Sequence, residues 1–256
     1  MGHGLTRFVL ITLFFFSMIE TSCSQTRTNI YDDFEGTTLN NIWSTDRMEM
    51  HSLEIQSNIF RNGKKAAKIT LRTGDVVEAG NDSSRESERD ELEEREWLES
   101  REGAKYQYEF SIFIPDSFPI VATRLIIAQW KERCHKESCS DDAPVLAVRY
   151  QSGRLFITRN DDSGRHLLYE LKEEIRNRWL DFRFQIKFSK QSDGEITAFL
   201  NGQNIISYNG ITSYTEKRGY PVKDNKYYFK MGLYRDRMTE PMSIYIDEYR
   251  KKEMTE

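Results

Sequence analysis

The chain is predicted to be all-β, an antiparallel sandwich. Aromatic and β-branched residues fill its readable segments, one of these alternates strictly, and tight-turn dipeptides separate neighbours. The segments run from Tyr108 to Ile114, Leu125 to Trp130, Val145 to Tyr150, Leu155 to Thr158, Phe182 to Phe188, Ile196 to Leu200 and Ser243 to Ile246. In the clearest, Phe182, Phe184, Ile186 and Phe188 alternate with Asp181, Arg183, Gln185 and Lys187. That is the period of a strand with one face in a core and one in water. Ser152-Gly153 and Asn201-Gly202 are turns between adjacent strands. Lys172 to Arg178 is expected to make one helical turn, and Trp43, Trp130 and Trp179 to fill core. A chain of 256 residues suits a single sandwich domain, since such units commonly reach about 200 to 250 residues.

Arg7 followed by the apolar run Phe8 to Ile19 is shorter than the roughly 20 residues that span a bilayer. It reads as a signal peptide, residues 1–24, with the domain occupying 25–256. Cleavage after Ser24, or a lipid anchor on Cys23, would leave the protein exported: secreted, periplasmic or tethered at the cell surface. Glu20 departs from the lipoprotein pattern. Cys134 and Cys139 then remain in an oxidising compartment and are expected to form a disulfide closing a short loop that contains His135. A zinc site on these thiols lacks a fourth ligand at suitable spacing. The net charge is -4, and loss of Arg7 and Glu20 leaves it unchanged. Nucleic acid is therefore not the expected partner, and a polyanion would need a local cationic cleft. A monomer is expected.

The stretch from Tyr228 to Arg235 supplies such a cleft. Period two places Lys230, Gly232 and Tyr234 on one face and Phe229, Met231 and Leu233 in the core. Gly232 is expected to let a flat ring lie close to the backbone. The region from Glu78 to Glu102 is crowded with charge and is expected to be mostly solvated loop or strand edge. Within it, alternation puts Arg89 and Glu91 opposite Leu92. Along Leu125 to Lys131, Gln129 and Lys131 share a face, with Ile126, Ala128 and Trp130 on the other. A guanidinium, an amide, an amine and a phenol on one sheet suit β-elimination on a uronic acid polymer. Arg89 and Gln129 would stabilise the enolate-like charge, and Tyr234 would move protons. Arg85, Arg149, Arg183 and Lys187 are further candidates to line the groove, His135 its edge, and Trp97 a sugar-stacking position.

These residues carry a resemblance. Ser-Glu-Arg89-Asp-Glu-Leu92, Gln129-Trp-Lys131 and Tyr228-Phe-Lys230-Met-Gly-Leu-Tyr234 resemble, in order and spacing, the signature strands of jelly-roll polysaccharide lyases: glucuronan lyases, type I heparin lyases and alginate lyases. Tyr108 to Pro119 is similar to the segment between the first two signatures. The resemblance implies a concanavalin-like β-jelly roll with a concave substrate groove. It implies that Arg89 and Gln129 engage the uronate carboxylate, that Lys230 helps bind the polymer, and that Tyr234 is catalytic acid and base; Glu91, Arg149 and Arg85 are further substrate-binding candidates. The chemistry needs no cofactor. Lys131 stands where these enzymes often have histidine. It is either a desolvated base or a charge clamp beside Tyr234, and the second is favoured because lysine holds its proton.

Two other functions fit part of the pattern. Glu88, Asp90 and Glu93 match the carboxylates of laminarinase-like glycoside hydrolases, although Glu93 is out of strand phase with the others unless a bulge intervenes. A non-catalytic carbohydrate-binding module would use the same groove without proton transfer. Glu35 and Asp247 are candidates to share a structural calcium ion.

Overall fold

The computed structural model describes Met1 and residues 29–79, 86–133, 143–215 and 225–255. The expected signal peptide, Arg85 and the Cys134–Cys139 loop with His135 lie outside these residues. Among them run β1 (Asn29–Asp32), β2 (Trp43–Ser44), β3 (Leu53–Gln56), β4 (Ala66–Leu71), β5 (Glu78–Ala79), β6 (Glu86–Glu94), β7 (Ser100–Arg101), β8 (Lys105–Ile114) and β9 (Leu125–Glu132). They continue with β10 (Leu146–Gln151), β11 (Arg154–Asp161), β12 (Gly164–Leu171), β13 (Arg178–Lys187), β14 (Glu195–Leu200), β15 (Gln203–Asn209), β16 (Lys226–Asp236) and β17 (Met242–Glu253). No described helix is long and apolar enough to cross a membrane.

The strands form two antiparallel sheets, a jelly-roll sandwich. One has the order β15-β14-β13-β8-β17-β4-β3, with β1 beside β17. The other has the order β12-β11-β10-β9-β16-β6-β2, with β5 beside β6 and β7 beside β16. Alternation along β13 works as its sequence requires: Phe182, Phe184 and Ile186 are buried and face the other sheet, in register with β8. Trp130 is the centre of the core. Its ring meets Phe184 at 4.7 Å and Phe229 at 4.9 Å, with Tyr108 edge-on at 5.4 Å, so both sheets contribute to one aromatic cluster. The hairpin turns at Ser152-Gly153 and Asn201-Gly202 have positive φ at both residues, as the twist of two-residue hairpins demands.

Three expectations change. Glu86 to Glu94, read as mostly solvated, is an almost wholly buried strand enclosed by β16 on one side and β2 and β5 on the other. Its carboxylates are tolerated inside because partners from distant strands meet them: Arg235 reaches Glu88 at 2.6 Å and Lys251 reaches Glu94 at 2.9 Å. Lys172 to Arg178 forms no helical turn. The Glu174 carboxylate takes the backbone N–H groups of Ile175 and Arg176, and Asn177 turns the chain into β13 with φ of 58°. Trp179 is only partly buried, against Phe113 on the outer face of the eight-stranded sheet, while Trp43 and Trp130 are in the core as expected. Trp97 is 63% exposed.

Candidate active site

Register brings the signature residues together on the outer face of the nine-stranded sheet. Tyr234 on β16 sits across from Arg89 on β6 and Ile126 on β9, and Lys230 across from Glu93 and Gln129. Both neighbours of β9 skip Ile127 in their pairing. This bulge breaks the simple alternation: Ile126 joins Gln129 and Lys131 on the groove face, while Ile127 and Ala128 both enter the core. Ile126 was expected inside. Gly232 stands at the same bulge with φ of 145°, where a Cβ would meet the Asp90 carbonyl oxygen at 2.2 Å and Glu91 Cα at 2.8 Å. Glycine is needed there for the close approach of β6 and not, as expected, to make room for a ligand ring.

The result is a cavity of about 140 Å³ lined by Arg89, Arg124, Ile126, Gln129, Lys131, Ala143, Pro144, Arg149, Arg165 and Tyr234. It is continuous, through Arg124, Arg149 and Arg165, with a wider depression of about 490 Å³ that crosses β10, β11 and β12. Arg89 and Gln129 are 4% and 2% exposed. Beneath them the fully buried Glu91 accepts from Gln129 Nε2 at 2.5 Å and from Arg89 Nη1 at 3.4 Å. That fixes the amide and leaves its second N–H and its carbonyl for a ligand. Arg149 Nε donates to Thr158 Oγ1 at 2.8 Å, while its buried Nη2 has no hydrogen-bond partner. Burial, with the guanidinium charges of Arg165 and Arg124 added, pushes the Arg149 pKa below its ordinary value. An anion in the cavity would relieve that strain of like charge.

Tyr234 lies between two guanidiniums, with Arg89 4.1 Å and Arg124 4.7 Å from its ring centroid. Its hydroxyl is 3.3 Å from Ser87 Oγ. Burial raises the phenol pKa, but the hydrogen bonds to Ser87 and Arg124 and the charges of Arg124 and Arg89 outweigh it, and the net shift is downward. A half-buried phenol drawn toward its anion, beside an amide and several cations, can exchange protons with an acidic carbon while the charge left behind is held.

The polysaccharide lyase family model matches residues 34–250. The chain belongs to that family. It is thus an enzyme, a lyase acting on polysaccharides. Its fold is similar to that of an endo-β-1,4-glucuronan lyase from the fungus Trichoderma reesei, at 18% identity, with 90% of this chain and 96% of that one covered and a TM-score of 0.70. Alginate lyase A1-II′, of polysaccharide lyase family 7, matches at 15% identity over 79% of this chain and 86% of its own, TM-score 0.55. Alginate lyase AlgAT5, of the same family, matches at 14% identity over 83% and 89%, TM-score 0.55. No curated protein matches in sequence.

Within this lyase, Arg89, Gln129, Lys131, Arg149 and Tyr234 share the cavity as expected. Lys230 does not present an ammonium to solvent: it is 3% exposed and bound to Glu93 at 2.9 Å. Burial works against its charge, yet Glu91, Tyr228 and Glu93 hold its pKa above the usual lysine value. Glu91 is sealed under the cavity floor, where it orients Arg89 and Gln129. Arg183 and Lys187 belong to β13 in the other sheet. The hydrolase carboxylates are divided: β6 and β16 pair without a bulge, so Glu88 and Asp90 face the other sheet and Glu93 faces outward. Glu35 and Asp247 each accept backbone N–H groups from residues 61–65, and among the described residues no group of three or more metal-ligating side chains forms. Burial moves the Asp247 pKa up to about 6. Arg124, Arg165 and Ser87 were not anticipated. Arg165 follows a turn and Arg124 precedes a strand, and only the pairing of β9 to β12 shows that both reach Tyr234's cavity.

Proposed function

We propose that this lyase cleaves a 4-linked, uronate-containing polysaccharide by β-elimination, leaving an unsaturated uronate at the new end. The observation that carries the proposal is the cavity in which Arg89, Gln129 and Tyr234 meet, where the charged lining among the described residues is cationic. Arg89 and the free Gln129 N–H take the uronate carboxylate, which makes the neighbouring C–H acidic and holds the enolate-like charge. Loss of one such donor typically costs about 10²- to 10³-fold in rate. Tyr234 removes that proton and returns one to the departing glycosidic oxygen. Lys131, Arg149 and Arg165 keep the polyanion in place, with Lys131 as clamp and not base. One residue performing both transfers requires the proton and the leaving oxygen on the same face of the ring. The glucuronan and alginate lyases that share the fold are named for uronate polymers, which supports the substrate class. Export and a Cys134–Cys139 disulfide belong to the same proposal, and sequencing the N-terminus of the mature protein tests the first.

Incubation with a panel of uronate polymers is expected to generate the ultraviolet-absorbing unsaturated product. New reducing ends without that chromophore would mean hydrolysis, and retention without cleavage would mean a binding module. Tyr234→Phe is expected to lower turnover by about 10²- to 10⁴-fold while polymer binding stays nearly intact. Undiminished turnover in that variant would remove the phenol from the reaction.

A further inference from the structure

We propose that Arg124 is a positioning residue which, through Ser87 and its ion pair with Asp236, holds Tyr234 ready to begin the reaction as the base. The proposal deepens the elimination chemistry above and rests on it for the step concerned. The geometry is a closed ring of contacts. Antiparallel pairing of β6 with β16 sets Ser87 opposite Asp236, two residues along from the Arg89–Tyr234 pair. Arg124, one residue before β9, spans both strands: its Nε donates to Asp236 Oδ1 at 2.8 Å and its Nη2 to Ser87 Oγ at 2.9 Å. The Asp236 N–H donates back to the Arg124 carbonyl at 3.1 Å, so the arginine is held at backbone and side chain alike. Ser87 is buried, and its Oγ lies 3.3 Å from the phenol oxygen.

A serine hydroxyl has one hydrogen and two lone pairs. With Arg124 on one lone pair, Ser87 accepts from the neutral phenol on the other. Once the phenol has lost its proton, the serine turns its own hydrogen toward the phenolate. Ser87 therefore partners both states of Tyr234 without moving its oxygen. The charged groups facing the ring reinforce this. Arg89 comes from β6, Lys131 from β9, Arg149 from β10 and Arg165 from β12, all cationic. Of the nearby acids among the described residues, Asp236 is held by Arg124, and Glu91 by Arg89 and Gln129. In the step itself the phenolate takes the proton from the carbon beside the carboxylate, and the C–H electron pair becomes the enolate. That pair then forms the double bond as the C–O bond to the departing sugar breaks, and the phenol gives its proton to the leaving oxygen. Tyr234 ends as the phenolate with which it began.

The test is an ultraviolet difference titration of tyrosine ionisation, without substrate, on the parent enzyme and on Tyr234→Phe, Arg124→Gln, Arg124→Lys and Ser87→Ala. One tyrosine is expected to ionise ahead of the others in the parent and to be missing from Tyr234→Phe. Arg124→Gln and Ser87→Ala should each move that transition to higher pH by about one unit, a tenfold loss of phenolate near neutrality, with Arg124→Lys restoring part of it. The acid limb of the pH profile of kcat should move the same way, and Ser87→Ala should leave KM nearly unchanged. A Tyr234 transition at the same pH in all folded variants, judged by circular dichroism, overturns the proposal. Because the titration needs no polymer, a shifted transition in an enzyme that cleaves no uronan would sustain the relay and remove only the substrate assignment.

Discussion

Strand β6 carries ionisable residues on both faces, and the two faces differ in how charge is balanced. Toward the other sheet, Glu88 and Arg235 form a fully buried pair, and Glu94 is met by Lys251 and by the Tyr249 hydroxyl. Glu88 and Glu94 thus each have a counter-charge of their own. Toward the groove, Arg89, Lys131, Arg149 and Tyr234 are joined by Arg124 and Arg165 around one sealed carboxylate, Glu91. Arg89, Lys131 and Arg149 are nearly as buried as the inner pairs, whereas Tyr234 and Arg124 are half-buried and Arg165 is exposed. What marks the groove, among the described residues, is an excess of one sign, with a guanidinium nitrogen of Arg149 left without a hydrogen-bond partner. Buried charge that cancels within the protein holds strands in place, and a buried guanidinium nitrogen such as that of Arg149 is placed to receive a ligand.

Three changes would break or sharpen this contrast, beginning with the largest. Glu88→Ala strands the Arg235 guanidinium in the core, and the expected loss is about 3–5 kcal/mol of stability, read from denaturant unfolding. A loss below about 1 kcal/mol would mean that the inner face is not held by its pairs. Gln129→Ala removes a groove-side group instead. Its expected effect is a fall in kcat of about 10²- to 10³-fold, with a smaller loss of stability than Glu88→Ala. Equal damage to folding in both variants would erase the distinction between the faces.

The last change is at Asp90, on the inner face. Burial raises its pKa to about 7, and the neighbouring Asp75 adds to the shift, although the Glu49 N–H at 2.8 Å opposes it. The folded state thus binds the proton more tightly than the unfolded chain, whose aspartate titrates near ~3.9. The stability this provides is complete below about pH 4 and is lost as pH rises toward 7, with a slope of up to about 1.4 kcal/mol per pH unit. Asp90→Asn is expected to remove that slope. Melting temperatures of parent and variant between about pH 4 and 8 should converge at the acid end and diverge in the variant's favour at neutrality. Parallel curves would show that Asp90 is ionised in the fold throughout. The difference between the two proteins isolates Asp90 from Asp247, which is raised to about 6 in both.

The alternation of Phe182 to Phe188 and the turns at Gly153 and Gly202 were legible in the sequence because both signals are local. So were Arg89, Gln129 and Tyr234, each on a short strand pattern. The charge-rich β6 was not, because composition cannot reveal that Glu88 and Glu94 meet partners about 150 positions away. Ile126 was placed on the wrong face for a related reason: the bulge at Ile127 is imposed by pairing with β10 and β16, and no residue in the segment announces it. Arg124 and Arg165 belong to the site only through strand order, a property of the whole sheet.

That order separates two kinds of change. Tyr234, Arg89 and Gln129 stand on three adjacent strands in the interior of their sheet, whereas Arg165 belongs to β12, the last strand of its path. Strand β12 can therefore be exchanged while the strands that carry Tyr234, Arg89 and Gln129 keep their alignment. Preference among polymers could drift, or be engineered, at this margin without rebuilding the reactive centre.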